Sequence, residues 1–316
     1  MKAPRSRRKG QPRPVSTHRG RRTSGATQPK GSGPRQEMRH TGEMAVSIVG
    51  RDAPPEAPKG DRLFPHPNRR LVLRLANCQM ISMRGPWRGD ATVNDLESGT
   101  STALGHRFFP GRSFWPWVGG DRMAWITRRY RPVLTDLDGA AIATLHPRIL
   151  RGPWGATLWG QLDPALLMVG RFGVTSVFSS DGRRLFHVAG KGQAPAGFTA
   201  DGRHALVLRQ NAPYGAASVC LFDATSGVPT ETIDLRSIDP ELAEALGRRV
   251  ATKRSARVGS DALYGSFWHG RVKVEYEPMS HTIFLGVACP TGEVRRTRGE
   301  DCAVLEDRWI QVQIDR

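Results

Sequence analysis

Cysteine is scarce in these 316 residues, long apolar runs are missing, and the first 35 residues carry no Asp or Glu. The four cysteines (Cys78, Cys220, Cys289, Cys302) come no closer than 13 residues to one another. That spacing excludes a local zinc or redox motif. A chain of this length does not need disulfides to hold a core, so the cysteines read as buried thiols in a reducing compartment. No stretch approaches the roughly 20 apolar residues that a membrane span requires. The arginine pairs Arg7-Arg8 and Arg21-Arg22 are not followed by the apolar segment of a secretory or twin-arginine signal. The expectation is a soluble, cytoplasmic protein with no membrane partner.

Catalytic signatures are missing as well. There is no Gly-x-Ser-x-Gly elbow, and the pair Gly190-Lys191 lacks the glycine spacing and following hydroxyl of a phosphate loop. His106, His146, His187, His204, His269 and His281 are scattered, with no pair at metal-ligand spacing. Asp136 and Asp138 read as turn residues. No cofactor, no metal and no catalytic residue is expected.

What is present is turns. Thirty-five glycines and 23 prolines suit many short strands better than long helices. Charge is uneven. Residues 1–35 hold 11 Lys/Arg, residues 1–70 carry +12, and the remaining 246 carry only +6 of the net +18. Residues 1–62 therefore read as a disordered basic leader, poor in large apolar side chains. Three readings stand for it: an unstructured tail, an anchor for nucleic acid or an anionic surface through residues 1–35, or a start codon placed upstream of Met38 or Met44.

From about residue 63, strands of four to seven residues alternate with Asp-Gly, Gly-Gly and Ser-Gly turns, the pattern of antiparallel hairpins. A phrase recurs: Phe198–Leu208 reads FTADGRHALVL, Val219–Leu235 reads VCLFDATSGVPTETIDL, and looser copies occur at Val93–Leu104 and Val133–Leu145. Asp95, Asp136 and Asp223 end the strand of each copy, spaced 41 and 87 residues, with an intervening unit near Asp181. A period in the low forties with four short strands per unit is that of a β-propeller blade. Pro290-Thr291-Gly292 is placed as a further turn of this kind. Asp239-Pro240-Glu241 starts a short helix in an insertion near 238–260.

These phrases resemble the WD-repeat, TolB-like and YncE-like propellers. Asp201-Gly202 matches their first turn, and Phe222-Asp223 with Ser226-Gly227 their second. Gly105-His106 is similar to the Gly-His of WD repeats, but no tryptophan precedes the phrase-ending aspartates. The resemblance implies an all-β fold, propeller-like, of five or six four-stranded blades over residues 63–316, with Ala303–Ile314 closing the ring. It makes Asp201, Gly202, Asp223 and Gly227 structural turn formers and carries no catalytic residue.

Function is then sought in loops. Six of eight tryptophans lie between Trp87 and Trp159, and Arg84-Gly-Pro-Trp87 recurs as Arg151-Gly-Pro-Trp154. Arg84, Trp87, Arg151 and Trp154 are the candidate ligand-binding residues, since Trp and Arg supply interface hot spots. The competing reading is that they pack between blades, and their 67-residue spacing is not a multiple of the period. The expected function is a monomeric, non-enzymatic scaffold that binds a protein or peptide. The alternative is a propeller enzyme or small-ligand binder, hydrolase- or lactonase-like, with converging His, Asp or Glu in its central channel.

Overall fold

Short strands separated by tight turns pair mostly with their neighbours in sequence, and most strands here do so. The structure is a computed structural model that describes residues 45–54, 60–81, 86–111, 113–145, 157–171, 173–190, 192–210, 217–241, 243, 272–297 and 300–315. Its first strand is β1 (Ala45–Gly50). Blade one follows with β2 (Arg62–Pro65), β3 (Leu71–Met80), β4 (Trp87–Asp95) and β5 (Ser101–Phe109). Blade two has β6 (Phe114–Trp115) with the Trp117–Met123 bridge on its inner side, then β7 (Met123–Ile126), β8 (Pro132–Thr135) and β9 (Ala141–Thr144).

Blade three is β10 (Thr157–Gln161), β11 (Leu166–Arg171), β12 (Val174–Ser179) and β13 (Arg184–Ala189). Blade four is β14 (Gln193–Phe198), β15 (His204–Gln210), β16 (Ala217–Asp223) and β17 (Pro229–Asp234). Then come β18 (Val272–Glu277), β19 (Thr282–Thr297) and β20 (Glu300–Asp315), whose sheet runs β1-β20-β19-β18. The fold is an all-β propeller whose strands group into five blade units but four hydrogen-bonded sheets, because β5 pairs with β7 across blades one and two and β6 pairs in parallel with β10 of blade three. Burial follows strand order within a blade. The inner β10 is buried along its whole length, whereas the outer β17 is mostly exposed. One contiguous apolar cluster draws residues from all five blades, from Phe64 to Ile314.

The ring is joined by the chain's early segment. β1 pairs antiparallel with β20 in the register Ala45↔Asp315 to Ile48↔Val312, and so forms the outer strand of the last blade. β1 lies inside the segment 1–62 expected to be leader. Its Val46, packed against the core cluster, and its ladder with β20 outweigh the Arg- and Pro-rich flanks. Ala303–Ile314 belongs to the third strand rather than the closing one. Pro290-Thr291-Gly292 is not a turn either. It sits within β19 at an irregularity between Pro290 and Val294, in a hairpin that runs ten residues past the end of its pairing with β18. The third strands thus end at Asp95, Thr135, Ser179, Asp223 and Asp315. The repeat is nearly even through four blades and stretched only in the fifth. Of the expected helical insertion, Asp239 accepts from the Ala243 N–H at 2.9 Å in a helical turn, and residues 244–260 lie outside the described residues.

Inner strands that meet fill the axis between blades three, four and five. Trp159 of β10 and Tyr276 of β18 approach with ring centroids 5.1 Å apart. A bulge in β14 between Pro195 and Gly197 gives them room. Gly197 has φ +114°, and a Cβ there would overlap the Tyr276 ring, so only glycine fits.

Candidate functional site

Connectivity defines two faces. In a four-stranded antiparallel blade the connections after strands two and four leave from one face, called upper here, and those after strands one and three from the other. The segments containing the two Arg-Gly-Pro-Trp phrases connect β3 to β4 and β9 to β10, that is, a second-to-third and a fourth-to-first connection. The strand ends flanking them therefore belong to the same face, and a spacing that is no multiple of the period does not separate them. Arg84, Arg151 and Trp154 lie outside the described residues; Trp87 is described.

Trp87 opens β4 and stands in a ladder row Met80–Trp87–Phe109 across blade one. Its ring stacks on Phe109 at 6.3 Å between centroids, and its indole edge packs on Gly111. So Trp87 is half packing and half display. It keeps 36% of its surface exposed, next to Met80 at 48% and Ile81 at 38%. The guanidinium of Arg62 lies over Phe64 (5.3 Å) and Phe109 (5.4 Å) and donates to the Gly111 carbonyl at 2.5 Å. Its plane is held by the rings beneath it, which suits recognition of a flat anion.

Blade two adjoins this row directly. Phe108 pairs with Ile126, so the two blades share one seven-stranded sheet. Beyond Ile126 the turn Thr127–Arg131 holds Arg128 and Arg129 exposed. The Thr127 hydroxyl accepts from the Arg129 and Arg131 N–H groups at 3.2 and 3.1 Å and shapes the turn. The Phe108↔Ile126 pair is antiparallel, so the chain after Ile126 runs alongside the residues that precede Phe108. Neither Arg128 nor Arg129 has an ion pair among the described residues. The rim's carboxylates are occupied: Asp61 by Arg74, and Asp90 by Asn77 and His106. Asn77's hydrogen bond, ahead of His106, holds the Asp90 carboxyl below its ordinary range. The upper edge of blade one thus exposes Met80, Ile81 and Trp87, with the Arg62 guanidinium packed over the Phe109 ring on which Trp87 stacks; this surface is called the upper groove.

The other titratable groups do structural work. Arg107 turns into the seam between blades one and two, over Trp125 at 6.0 Å, and donates to the Gly139 carbonyl at 3.0 Å; burial lowers its pKa. Burial pushes the Cys78 thiol up, away from reactive thiolate. Tyr276 Oη lies 2.7 Å from His281 Nδ1 and 3.3 Å from the Phe198 carbonyl; burial drives its pKa far upward. Burial, reinforced by Arg69, lowers His66, whose ring meets Trp117 edge-on at 5.0 Å. No group of three or more His, Cys, Asp or Glu among the described residues could hold a metal ion.

On the lower face, Asp201 accepts from the Thr199 hydroxyl (2.6 Å) and the Arg203 N–H (3.0 Å), and Gly202 has φ +68°. Asp223 Oδ1 accepts from the Ser226 N–H at 2.7 Å, the Thr225 N–H at 3.1 Å and both hydroxyls, and Gly227 has φ +72°. These residues shape turns and touch nothing in the upper groove. Met80, Ile81 and Arg62 were not singled out in the sequence.

No protein-family model matches the chain, and no curated protein matches it. Among solved structures it is similar to hydrazine synthase of Kuenenia stuttgartiensis, at 13% identity over 85% of this chain and 66% of that one, TM-score 0.43. It is similar to the β-propeller domain of the trilobed protease of Pyrococcus furiosus, at 8% identity over 78% of this chain and 71% of that one, TM-score 0.38. It is also similar to TolB of Acinetobacter baumannii, at 13% identity over 80% of this chain and 55% of that one, TM-score 0.34. The chain spans less than two thirds of the hydrazine synthase and TolB chains. The propeller is read from the strand pairing of this chain itself.

Proposed function

We propose that this propeller is a non-enzymatic binding module that docks a protein or peptide in the upper groove of blade one. The exposed row Met80–Trp87, with Ile81 beside it and Arg62 over the neighbouring Phe109 ring, carries the reading. Apolar surface gathered beside cations is costly to leave in water and is the composition of an interface centre. The channel reading needs converging carboxylates or imidazoles on the inner strands. Between blades three, four and five those strands instead bring Trp159, Phe198 and Tyr276 together, buried.

Quantitative affinity purification tests the reading. The full chain and its Trp87→Ala and Met80→Ala variants are compared for the polypeptides they retain. A retained polypeptide that falls at least severalfold in both variants supports groove docking. Retention unchanged in both overturns it.

A further inference from the structure

Charge is sorted by face. The seven connections that join upper strand ends in blades one to four (81–86, 110–113, 127–131, 145–156, 172–173, 190–192 and 211–216) contain eight Lys or Arg and no Asp or Glu. The eight that join lower strand ends (66–70, 96–100, 116–122, 136–140, 162–165, 180–183, 199–203 and 224–228) contain five Lys or Arg and seven Asp or Glu. The connection 235–271, also between upper strand ends, adds seven basic residues against four acidic ones. The small net charge of the folded part therefore hides a one-sided field. Among the described residues, Arg128 and Arg129 in the second-to-third connection of blade two, and Arg209 near the upper end of β15, are exposed and have no ion pair. Carboxylates at upper strand ends are already held: Asp61 by Arg74, Asp234 by Arg236 and Asp239 by Arg51.

Two properties choose the partner. Seven of the eight cations are arginine, whose planar guanidinium meets a phosphate through two parallel hydrogen bonds. They are also spread, one to three per connection, over five of the seven connections. A repeating anion that crosses several blades matches that spread better than a compact ligand does. A nucleic-acid duplex is such an anion, with about one charge per 1.7 Å of its length. We propose that the upper face binds the sugar-phosphate backbone of nucleic acid without reading its sequence, with Arg128, Arg129 and Arg209 on phosphates. This contact is separate from polypeptide docking at Met80 and Trp87. It is also separate from the 1–35 segment, whose 11 Lys/Arg attract the same polymer.

A labelled DNA duplex of mixed sequence tests it by fluorescence anisotropy at several salt concentrations. The full chain is compared with a full chain in which the Lys and Arg of residues 1–35 are all changed to Gln. In both, Arg128→Gln, Arg129→Gln and Arg209→Gln together weaken binding about tenfold or more at low salt. They also flatten the slope of log affinity against log salt by about three. A matched lower set, Arg70→Gln, Arg183→Gln and Arg203→Gln, removes the same charge and leaves affinity within about twofold, because the field is local to a face. All six side chains are exposed, and melting curves check that both triple variants are folded. Equal losses from the two sets would reduce the binding to net charge and overturn the proposal. So would the loss of all duplex binding once residues 1–35 are neutralised. Phosphatidylserine vesicles that bind more tightly than the duplex, and are released by the upper set, would assign the face to a membrane and overturn it as well. Capture of a polypeptide through Trp87 is read separately, so failure here leaves the docking reading standing.

Discussion

Trp159 and Tyr276 meet across the axis of the propeller, their centroids 5.1 Å apart, although blade four separates the blades that carry them. Such a contact exists only if the inner strands converge on a filled centre. Each ring contributes roughly 1.5–3 kcal/mol through burial. The Tyr276 hydroxyl is satisfied there by the Phe198 carbonyl and His281.

Replacing Tyr276 by Phe should therefore cost about 1–3 kcal/mol, because the Phe198 carbonyl loses a donor in a dry site. Tyr276→Ala should cost about 3–5 kcal/mol through the cavity it leaves. Gly197→Ala should destabilise as well, since the new methyl group meets the same ring. Urea unfolding followed by tryptophan fluorescence measures all three. Wild-type stability in any of them would contradict the filled axis.

Asp223 supplies a pH signature. The Ser226 N–H, with help from the Thr225 and Ser226 hydroxyls, lowers its pKa from 3.8 to about 2. A carboxylate depressed on folding stabilises the native state above its unfolded pKa, and that stabilisation is lost as pH falls through the folded value. Asp223→Ala should lower stability by roughly 1 kcal/mol at neutral pH, allowing for solvent screening of a turn at the surface. The difference from wild type should shrink between about pH 4 and pH 2. Paired unfolding curves across that range check it; a difference independent of pH would contradict it.

β1 is held by its ladder with β20 and by Arg51, which pairs with Asp239 at 2.5 Å and Glu241 at 3.3 Å. Asp239 is only 1% exposed, so the pair pins the strand to the start of the insertion after blade four. Deleting residues 1–50 should destabilise the protein by on the order of 3 kcal/mol, from about 1 kcal/mol per ladder hydrogen bond lost. It should also promote aggregation through the bared edge of β20. Deleting residues 1–44 leaves the ladder intact and should leave the melting temperature unchanged. Equal melting temperatures for the two truncations would contradict the closure by β1.

Arg51→Ala isolates the pin from the ladder. It should leave global stability within about 1 kcal/mol, since Arg51 is half exposed, while amide exchange in Ala45–Ile48 speeds up relative to β18. Uniform exchange across the last blade would show that the pair does not hold the strand.

The architecture was legible in the sequence because turns are written locally. Asp201-Gly202 and Asp223 to Gly227 name their own conformations, and the aspartates at 95, 136 and 223 mark three of the five third strands. The closing strand was not legible. Ala45–Gly50 pairs with residues more than 260 positions away, and no local pattern records a partner that distant. Its flanks of Arg, Pro and Gly also resemble a tail. The groove was half legible. Trp87 stood out by type, but Met80 and Arg62 become its neighbours only through the fold, Met80 across the ladder and Arg62 over the Phe109 ring on which Trp87 stacks. Spacing misled on the two Arg-Gly-Pro-Trp phrases, because connections of different kinds share a face.

Photo-crosslinking from the groove tests the central claim most directly. A photoreactive phenylalanine analogue replaces Met80 in the full chain, and in a control it replaces Thr225 in the lower turn of blade four. Irradiation in the producing cells, followed by mass spectrometry, should give one predominant polypeptide adduct from position 80 and not from position 225. The same adducts from both positions, or none from position 80, would contradict a binding module that works through this groove.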